Sequence, residues 1–322
     1  MKAIAHDRYG PPGVLRLDDV DMPEPGDDEV LVRVHAAGVD PGVWHLTTGL
    51  PYAVRLGYGL RAPRTRVRGM DMAGRVERAG RNVTRFKPGD QVFGSCDGAF
   101  AEYACARQDR LAPKPANLTF EQAAAVPVSG CTALQSLRDK GEVRPGQRVL
   151  IIGAAGGVGT FAVQLAKAFG AHVTGVCSTT KTELVRSIGA DDVVDYTRDD
   201  FADAGHRYDL ILDTAGLRSL SHLRRALTPR GTLVIVGGEG KGRWLGGTDR
   251  MLRALLLAPF IGQRLRGLFS TQRQDDLRLL AELIEAGEVT PVIDRTYALE
   301  EVPEAVRHVA EGRARGKVVV TV

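Results

Sequence analysis

The chain has 322 residues, of which 43 % are hydrophobic, 25 % charged and 6 % aromatic, ordinary globular values that exclude collagen, coiled coil and wholesale disorder. That length suits one large or two ordinary domains with a sizeable interior. Lys and Arg number 43 against 39 Asp and Glu, a net charge of +4 that falls short of the clustered basic footprint of a nucleic-acid reader.

The first residues turn charged after Ala5, and the most apolar later stretch, 254–262, is far below a membrane span of about 20 residues. A soluble, cytoplasmic protein is expected, with membrane association disfavoured. Up to about residue 118 the pattern is strands and turns: Val30, Val32 and Val34 alternate, and Lys87-Pro88-Gly89-Asp90 is a turn. Cysteines at 96, 105, 131 and 177 make no CxxC and no zinc-ribbon spacing, so they read as buried or idle thiols. Thr119 and Gln122 fit a capping box opening an alanine-rich stretch, and composition shifts there, which places a domain boundary nearby.

From Arg148 the pattern becomes strand, helix, strand: VLIIG, a helix from Phe161 to Phe169, then HVTGVC. Thr180 and Glu183 offer a second capping box. VVDY, YDLILD, a helix around Ser219 to Leu227 and TLVIV follow. Such alternation predicts an α/β, doubly wound parallel sheet. Further on come helices near Asp275 to Ala286 and near Glu304 to Glu311, and a closing strand, KVVVTV.

The sharpest motif is Gly153-Ala154-Ala155-Gly156-Gly157-Val158-Gly159, leaving a strand and opening a helix. Glycines let the backbone approach a pyrophosphate closely, and the free N–H groups at a helix start favour an anion. An NAD-selective site would place a carboxylate on the ribose about 20 residues into the unit. No acidic residue occurs between Thr160 and Thr182; the second strand ends instead in Cys177-Ser178-Thr179-Thr180-Lys181, hydroxyls plus a cation suited to a 2′-phosphate. NADPH is the expected cofactor, although Ser178 and Thr180 could simply cap a helix and Lys181 could be a solvated charge.

AGRVERAGRNVTRFKPGDQVFG, GAFAEY, AAAVPVSGCTAL, GAAGGVG, VTGVCSTTKTELVRSIGADDVVDY and GRARGKVVVTV recur in the order that resembles the medium-chain dehydrogenase/reductase superfamily, in its zinc-free quinone oxidoreductase (zeta-crystallin-like) branch. The resemblance implies a GroES-like β-rich catalytic domain at 1–120, completed by about 292–322, and a Rossmann NADPH-binding domain at 121–291. It puts Ala155, Gly156, Gly157 and Val158 on the pyrophosphate, and Ser178, Lys181 and Tyr196 around the adenosine phosphate. Thr132, Ala215 and the Val236-Gly237-Gly238 turn lie on the nicotinamide side, with Asp40 near the nicotinamide where many relatives carry Asn. Asp40 could instead be protonated by burial, or face solvent.

Zinc relatives ligate metal through a Cys after Gly-Val, a His-Glu pair after Gly, and a later Cys or His. Here Asp40, Met70-Asp71 and Val128 stand at those places, so no metal is expected. Tyr52 occupies the place where relatives keep a tyrosine by the reacting carbonyl, and a phenol can donate to a developing oxyanion. His45 lies just upstream and reads as structural or catalytic. The implied activity is reduction of quinones or α,β-unsaturated carbonyls by a homodimer. Alcohol oxidation, or a catalytically idle NADPH-binding sensor, are the alternatives. The cationic stretch 243–269 reads as a lid or dimer surface in preference to an interfacial membrane helix.

Overall fold

The structure is a computed structural model that describes residues 1–203, 205–237 and 242–322, so Gly238 lies outside the described residues. The chain divides into two compact units: Met1–Cys131, Thr271–Gly287 and Pro291–Val322 form the first, Thr132–Ser270 and Glu288–Thr290 the second. The strands in chain order are β1 (Lys2–Ala5), β2 (Arg16–Asp19), β3 (Glu29–Val39), β4 (Asp71–Ala79), β5 (Gln91–Ser95), β6 (Tyr103–Arg107), β7 (Leu111–Pro113), β8 (Arg148–Ile152), β9 (His172–Cys177), β10 (Asp192–Asp195), β11 (Tyr208–Asp213), β12 (Leu227–Ile235), β13 (Arg264–Gly267), β14 (Ile293–Ala298) and β15 (Lys317–Thr321). The helices are α1 (Pro41–Thr48), α2 (Val54–Tyr58), α3 (Phe120–Ala124), α4 (Pro127–Gln135), α5 (Gly157–Ala168), α6 (Thr182–Ser187), α7 (Leu220–Ala226), α8 (Thr248–Leu257), α9 (Gln274–Glu285) and α10 (Val302–Ala310).

In the first unit the sheet runs β14-β15-β3-β4-β5-β7, with β6 also paired to β3 and β1 paired to β2 alongside. Val30, Val32 and Val34 of β3 are buried while Arg33 is exposed, but Leu31 is fully buried as well, so the alternation expected of a strand with one face on the core holds only in part. Val302, Ala305 and Val306 of α10 close that core against Val318 and Val320 of β15. β15 pairs antiparallel with β3, setting Val319 opposite Gly38. Thr119 caps α3 as expected: its side chain accepts from Gln122 N at 3.3 Å, and Gln122 Oε1 accepts from Thr119 N at 3.0 Å.

The second unit is a six-stranded sheet of order β10-β9-β8-β11-β12-β13 whose neighbouring strands pair in parallel. Its inner strands β8, β9 and β11 are largely buried apolar runs, as a sheet covered on both faces requires, and Phe161, Ala162 and Leu165 of α5 lie fully inside. Because all strands point one way, their C-terminal ends gather at a single edge, where ligands of open α/β sheets bind. Among the described residues no helix is long and apolar enough to cross a membrane.

Three expectations need correction. The second capping box does not form: Lys181 occupies the N-cap of α6 without a side-chain cap, because residues Thr179–Lys181 make a 3₁₀ turn and Thr182 Oγ1 bonds back to Thr179 O at 3.0 Å. The helix after the glycine turn begins at Gly157 rather than Phe161. Residues 121–131 and 271–287, assigned from the sequence to the cofactor half, pack with the first unit. There Gln274 Nε2 donates to Leu111 O at 2.7 Å and Asn117 Nδ2 to Ile284 O at 2.9 Å, bonds that tie α9 beneath β7.

Candidate functional site

In the second unit, β8 runs into the glycine turn and α5. Gly153 has φ +82°, and a Cβ there would sit 2.4 Å from Thr214 Oγ1, which itself donates to Ile152 O at 2.8 Å. A Cβ on Gly159 would lie 2.1 Å from Gly153 O, so only glycine lets the first turn of the helix press on the strand end. Gly156 is the N-cap, and the amides of the first turn have no partner within the helix. With the helix dipole they form an anion cradle of backbone alone.

The neighbouring strand ends bring the other expected residues to the same edge. Ser178 and Lys181 follow β9 and are half-buried; Tyr196 follows β10, is half exposed, and donates its N–H to Cys177 O at 3.1 Å. Ala215 follows β11. Val236 and Gly237 follow β12, Val236 N donating to Asp213 O at 3.0 Å, and a Cβ on Gly237 would meet Thr214 O at 2.6 Å. Thr132 Oγ1 bonds Ser270 Oγ at 2.8 Å just beyond β13. All the expected cofactor residues of this unit that are described therefore lie along its C-terminal strand edge.

Two carboxylates at that edge escaped the sequence reading. Asp195 ends β10 beside Cys177, accepts from Thr179 Oγ1 and from Thr197 N at 3.0 Å, and these hydrogen bonds hold its carboxyl below the ordinary range. Asp213 is fully buried, accepts from Arg250 Nη2 at 2.7 Å and from Gly216 N at 2.9 Å. The end of YDLILD signals a carboxylate at a strand terminus; nothing local signals its arginine 37 residues on.

In the first unit, Asp40 follows β3 as the N-cap of α1 and does not face solvent. It is 7 % exposed, and its Oδ1 accepts from Lys317 Nζ at 2.6 Å and Ser129 Oγ at 3.0 Å. The same ammonium donates to Asp71 Oδ2 at 3.2 Å and Ser129 Oγ at 3.3 Å, while Asp71 Oδ1 accepts from Val128 N at 3.0 Å. Of the places read from zinc relatives, Asp40 and Asp71 thus hold the buried cation of Lys317, and Val128 joins them through its N–H to Asp71. Gly38 makes room for it, since a Cβ there would stand 2.9 Å from Asp71 Cβ.

The electrostatics are asymmetric. Burial pushes the Asp40 carboxyl up, but Lys317 and the hydrogen bonds from Asp71, Lys317 and Ser129 more than reverse it, leaving it below the usual carboxylate range. Burial and the nearby charge of Asp40 drive Asp71 well above that range, against the weaker pull of Lys317. The opposite shifts of the two carboxyls, beside a lysine raised above its ordinary range, work against a net buried charge.

His45 lies on α1 and donates its Nδ1–H to Leu50 O at 2.7 Å, which leaves Nε2 as a bare acceptor in the neutral ring. Tyr52 is half-buried, with the Arg55 guanidinium 4.9 Å from its ring centroid.

Comparison with known proteins fits this architecture. Residues 26–116 match the alcohol dehydrogenase GroES-like domain model and residues 188–320 the zinc-binding dehydrogenase model. The chain is 34 % identical to the NAD(P)H oxidoreductase RTN4IP1, mitochondrial, of Mus musculus over 365 residues, covering 100 % of this chain and 89 % of that one. It is 32 % identical to a quinone oxidoreductase of Sus scrofa, covering 99 % and 97 %. The solved quinone oxidoreductase of Coxiella burnetii superposes with a TM-score of 0.88 at 32 % identity, covering 100 % of this chain and 99 % of that one. The chain belongs to the medium-chain dehydrogenase/reductase superfamily, in its quinone oxidoreductase branch, and is a nicotinamide-dependent oxidoreductase.

Proposed function

We propose that this protein is a zinc-independent, NADPH-dependent reductase of quinones or α,β-unsaturated carbonyls. The observation that carries the reading is the ammonium of Lys317 among Asp40, Asp71 and Ser129, at the place where metal-dependent relatives would bring their ligands together. A chain that fills this place with its own cation suits acceptors that need no Lewis acid.

The glycine cradle fits a dinucleotide, because Gly153, Gly159 and Gly237 leave no room for a Cβ and hold the backbone open to close approach. Ala155, Gly156, Gly157 and Val158 would hold the pyrophosphate on the amides of α5. Ser178, Lys181 and Tyr196 would take the 2′-phosphate, and Thr132, Ala215, Val236 and Gly237 would line the nicotinamide side. The cofactor supplies a hydride when bound. Tyr52 donates a hydrogen bond to the oxygen on which charge develops. His45, with Nδ1 committed to Leu50 O, can only accept at Nε2 until that atom is protonated.

A quinone or enone already offers a low-lying acceptor carbon, so orientation and modest oxyanion stabilisation suffice. With chelator present, NADPH oxidation by 1,2-naphthoquinone should exceed that by cyclohexanone at least tenfold, about 1.4 kcal/mol in barrier. Comparable rates, or abolition by the chelator, would overturn the assignment; no turnover with any acceptor would favour a sensor. Lys181→Glu should shift preference from NADPH toward NADH by roughly 1–3 kcal/mol, read by calorimetry. We also assign a cytoplasmic homodimer, checked by sedimentation and by cell fractionation, the latter against the mitochondrial designation of the mouse relative.

A further inference from the structure

The first unit holds a second buried cation, and among the described residues this one has no ion-pair partner. Arg68, between β1 and β4 in the sheet region, is 4 % exposed. Its Nη2 donates to the Thr65 carbonyl, its backbone N–H to Ile4 O at 3.2 Å, and its Nε is buried without a hydrogen-bond partner among the described residues. No ion pair forms on its guanidinium among those residues. Burial holds its guanidinium below the ordinary range against the pull of Tyr9, Asp97 and Tyr58, and its charge acts in turn on His6. His6 donates Nδ1–H to Arg8 O at 3.0 Å and is held below its ordinary pKa by burial first and the Arg68 charge second, so it brings no negative charge.

Arg68 lines a cavity of about 180 Å³. Val43 and Leu46, 1 % and 8 % exposed, form an apolar part of its wall, and Tyr58 and Arg64, both exposed, lie toward its mouth. Asp97 also lines it and offsets part of the positive potential, which two arginines leave net positive. The volume is below that of a whole drug-sized pocket and suits a group of a few heavy atoms. A buried guanidinium lacking an anion is costly, and its planar fork matches a carboxylate with two parallel N–H donors.

We propose that this cavity is a binding subsite for a small organic carboxylate, held on Arg68 with its alkyl part against Val43 and Leu46. Both apolar residues lie on α1, the helix that carries His45. The inference does not depend on the reductase reading, because its test involves neither cofactor nor turnover.

Butyrate, butyramide and sulfate would be titrated into the full chain by calorimetry and ligand-observed NMR. Butyrate should bind at least tenfold more tightly than butyramide, its neutral near-isostere, and more tightly than sulfate. Arg68→Met, which removes an unpaired buried charge and so should fold, should abolish the difference between butyrate and butyramide; Arg68→Lys should retain part of it. Equal binding of butyrate and butyramide, or binding of neither, would overturn the subsite. Sulfate binding as tightly as butyrate would overturn the carboxylate assignment in favour of an inorganic-anion site, and unchanged butyrate preference in Arg68→Met would place the binding elsewhere.

Discussion

The glycine turn after β8 and the cluster around Lys317 handle charge by opposite means. The turn is made of backbone: it carries no side-chain charge, closes within seven residues from Gly153 to Gly159, and offers its amides to an anion from outside. The cluster is made of side chains, encloses its own cation, and joins residues 277 and 246 positions apart. A site open to a ligand tolerates unsatisfied donors because the ligand or water completes them. A closed one must balance its charges internally, and leaving any partner out exposes the others to the full cost of burial.

Breaking the closed site should therefore have the larger effect. Lys317→Met leaves two fully buried carboxyls around an apolar group and should cost about 3–5 kcal/mol of stability, measured by urea unfolding. Adding Asp40→Asn should return part of that loss, since the double variant no longer buries an uncompensated charge; no recovery would mean that packing, not charge, dominates. Gly159→Ala attacks the open site. Its Cβ would fall 2.1 Å from Gly153 O, so the helix start must retreat, and NADPH affinity should drop at least tenfold, about 1.4 kcal/mol, with global stability changed less.

The smallest expected effect is on pH. His6 is lowered from 6.5 by burial and Arg68, and His35 is lowered by burial and nearby arginines. At these two residues the unfolded chain binds protons that the folded one refuses, so their contribution to stability is intact above about pH 6.5, is lost as pH drops below it, and levels off beneath the folded values, whereas the raised Asp71 carboxyl contributes the opposite slope. The slope should not exceed about 1.4 kcal/mol per pH unit for each group. His6→Gln should flatten it; an unchanged slope would assign the effect elsewhere.

The same contrast explains what could be read from the sequence. The glycine turn, the Thr119 box and the parallel alternation of the second unit are local patterns whose partners lie within a few residues. The box at Thr180 failed because a 3₁₀ turn claimed the same residues, a competition between two local bonds that spacing alone does not decide. The placement of 121–131 and 271–287 depended on tertiary bonds such as Gln274 to Leu111, which no period encodes. Asp40 stands out in the sequence where relatives carry other residues, but its partner is invisible there: a lysine opening an apolar strand run is the only trace Lys317 leaves. Arg68 and Asp213 likewise become notable only once burial is known.

The distance between the members of the Lys317 cluster has a consequence for biosynthesis. Translation delivers Asp71 to the growing chain 246 residues before the lysine that neutralises it, an interval of roughly 10–50 s at common elongation rates. Through that time β15 is absent, and β3 lacks the neighbour that sets Val319 against Gly38. The whole Rossmann sheet, from β8 to β13, emerges in between and can assemble unaided, as its strands pair only with one another. The second unit is thus ready to fold before the first, whose strands flank it in the sequence. A ribosome stalled ahead of Lys317 would present cellular quality control with an intact nucleotide-fold domain attached to an unfinished, acid-bearing β-sheet.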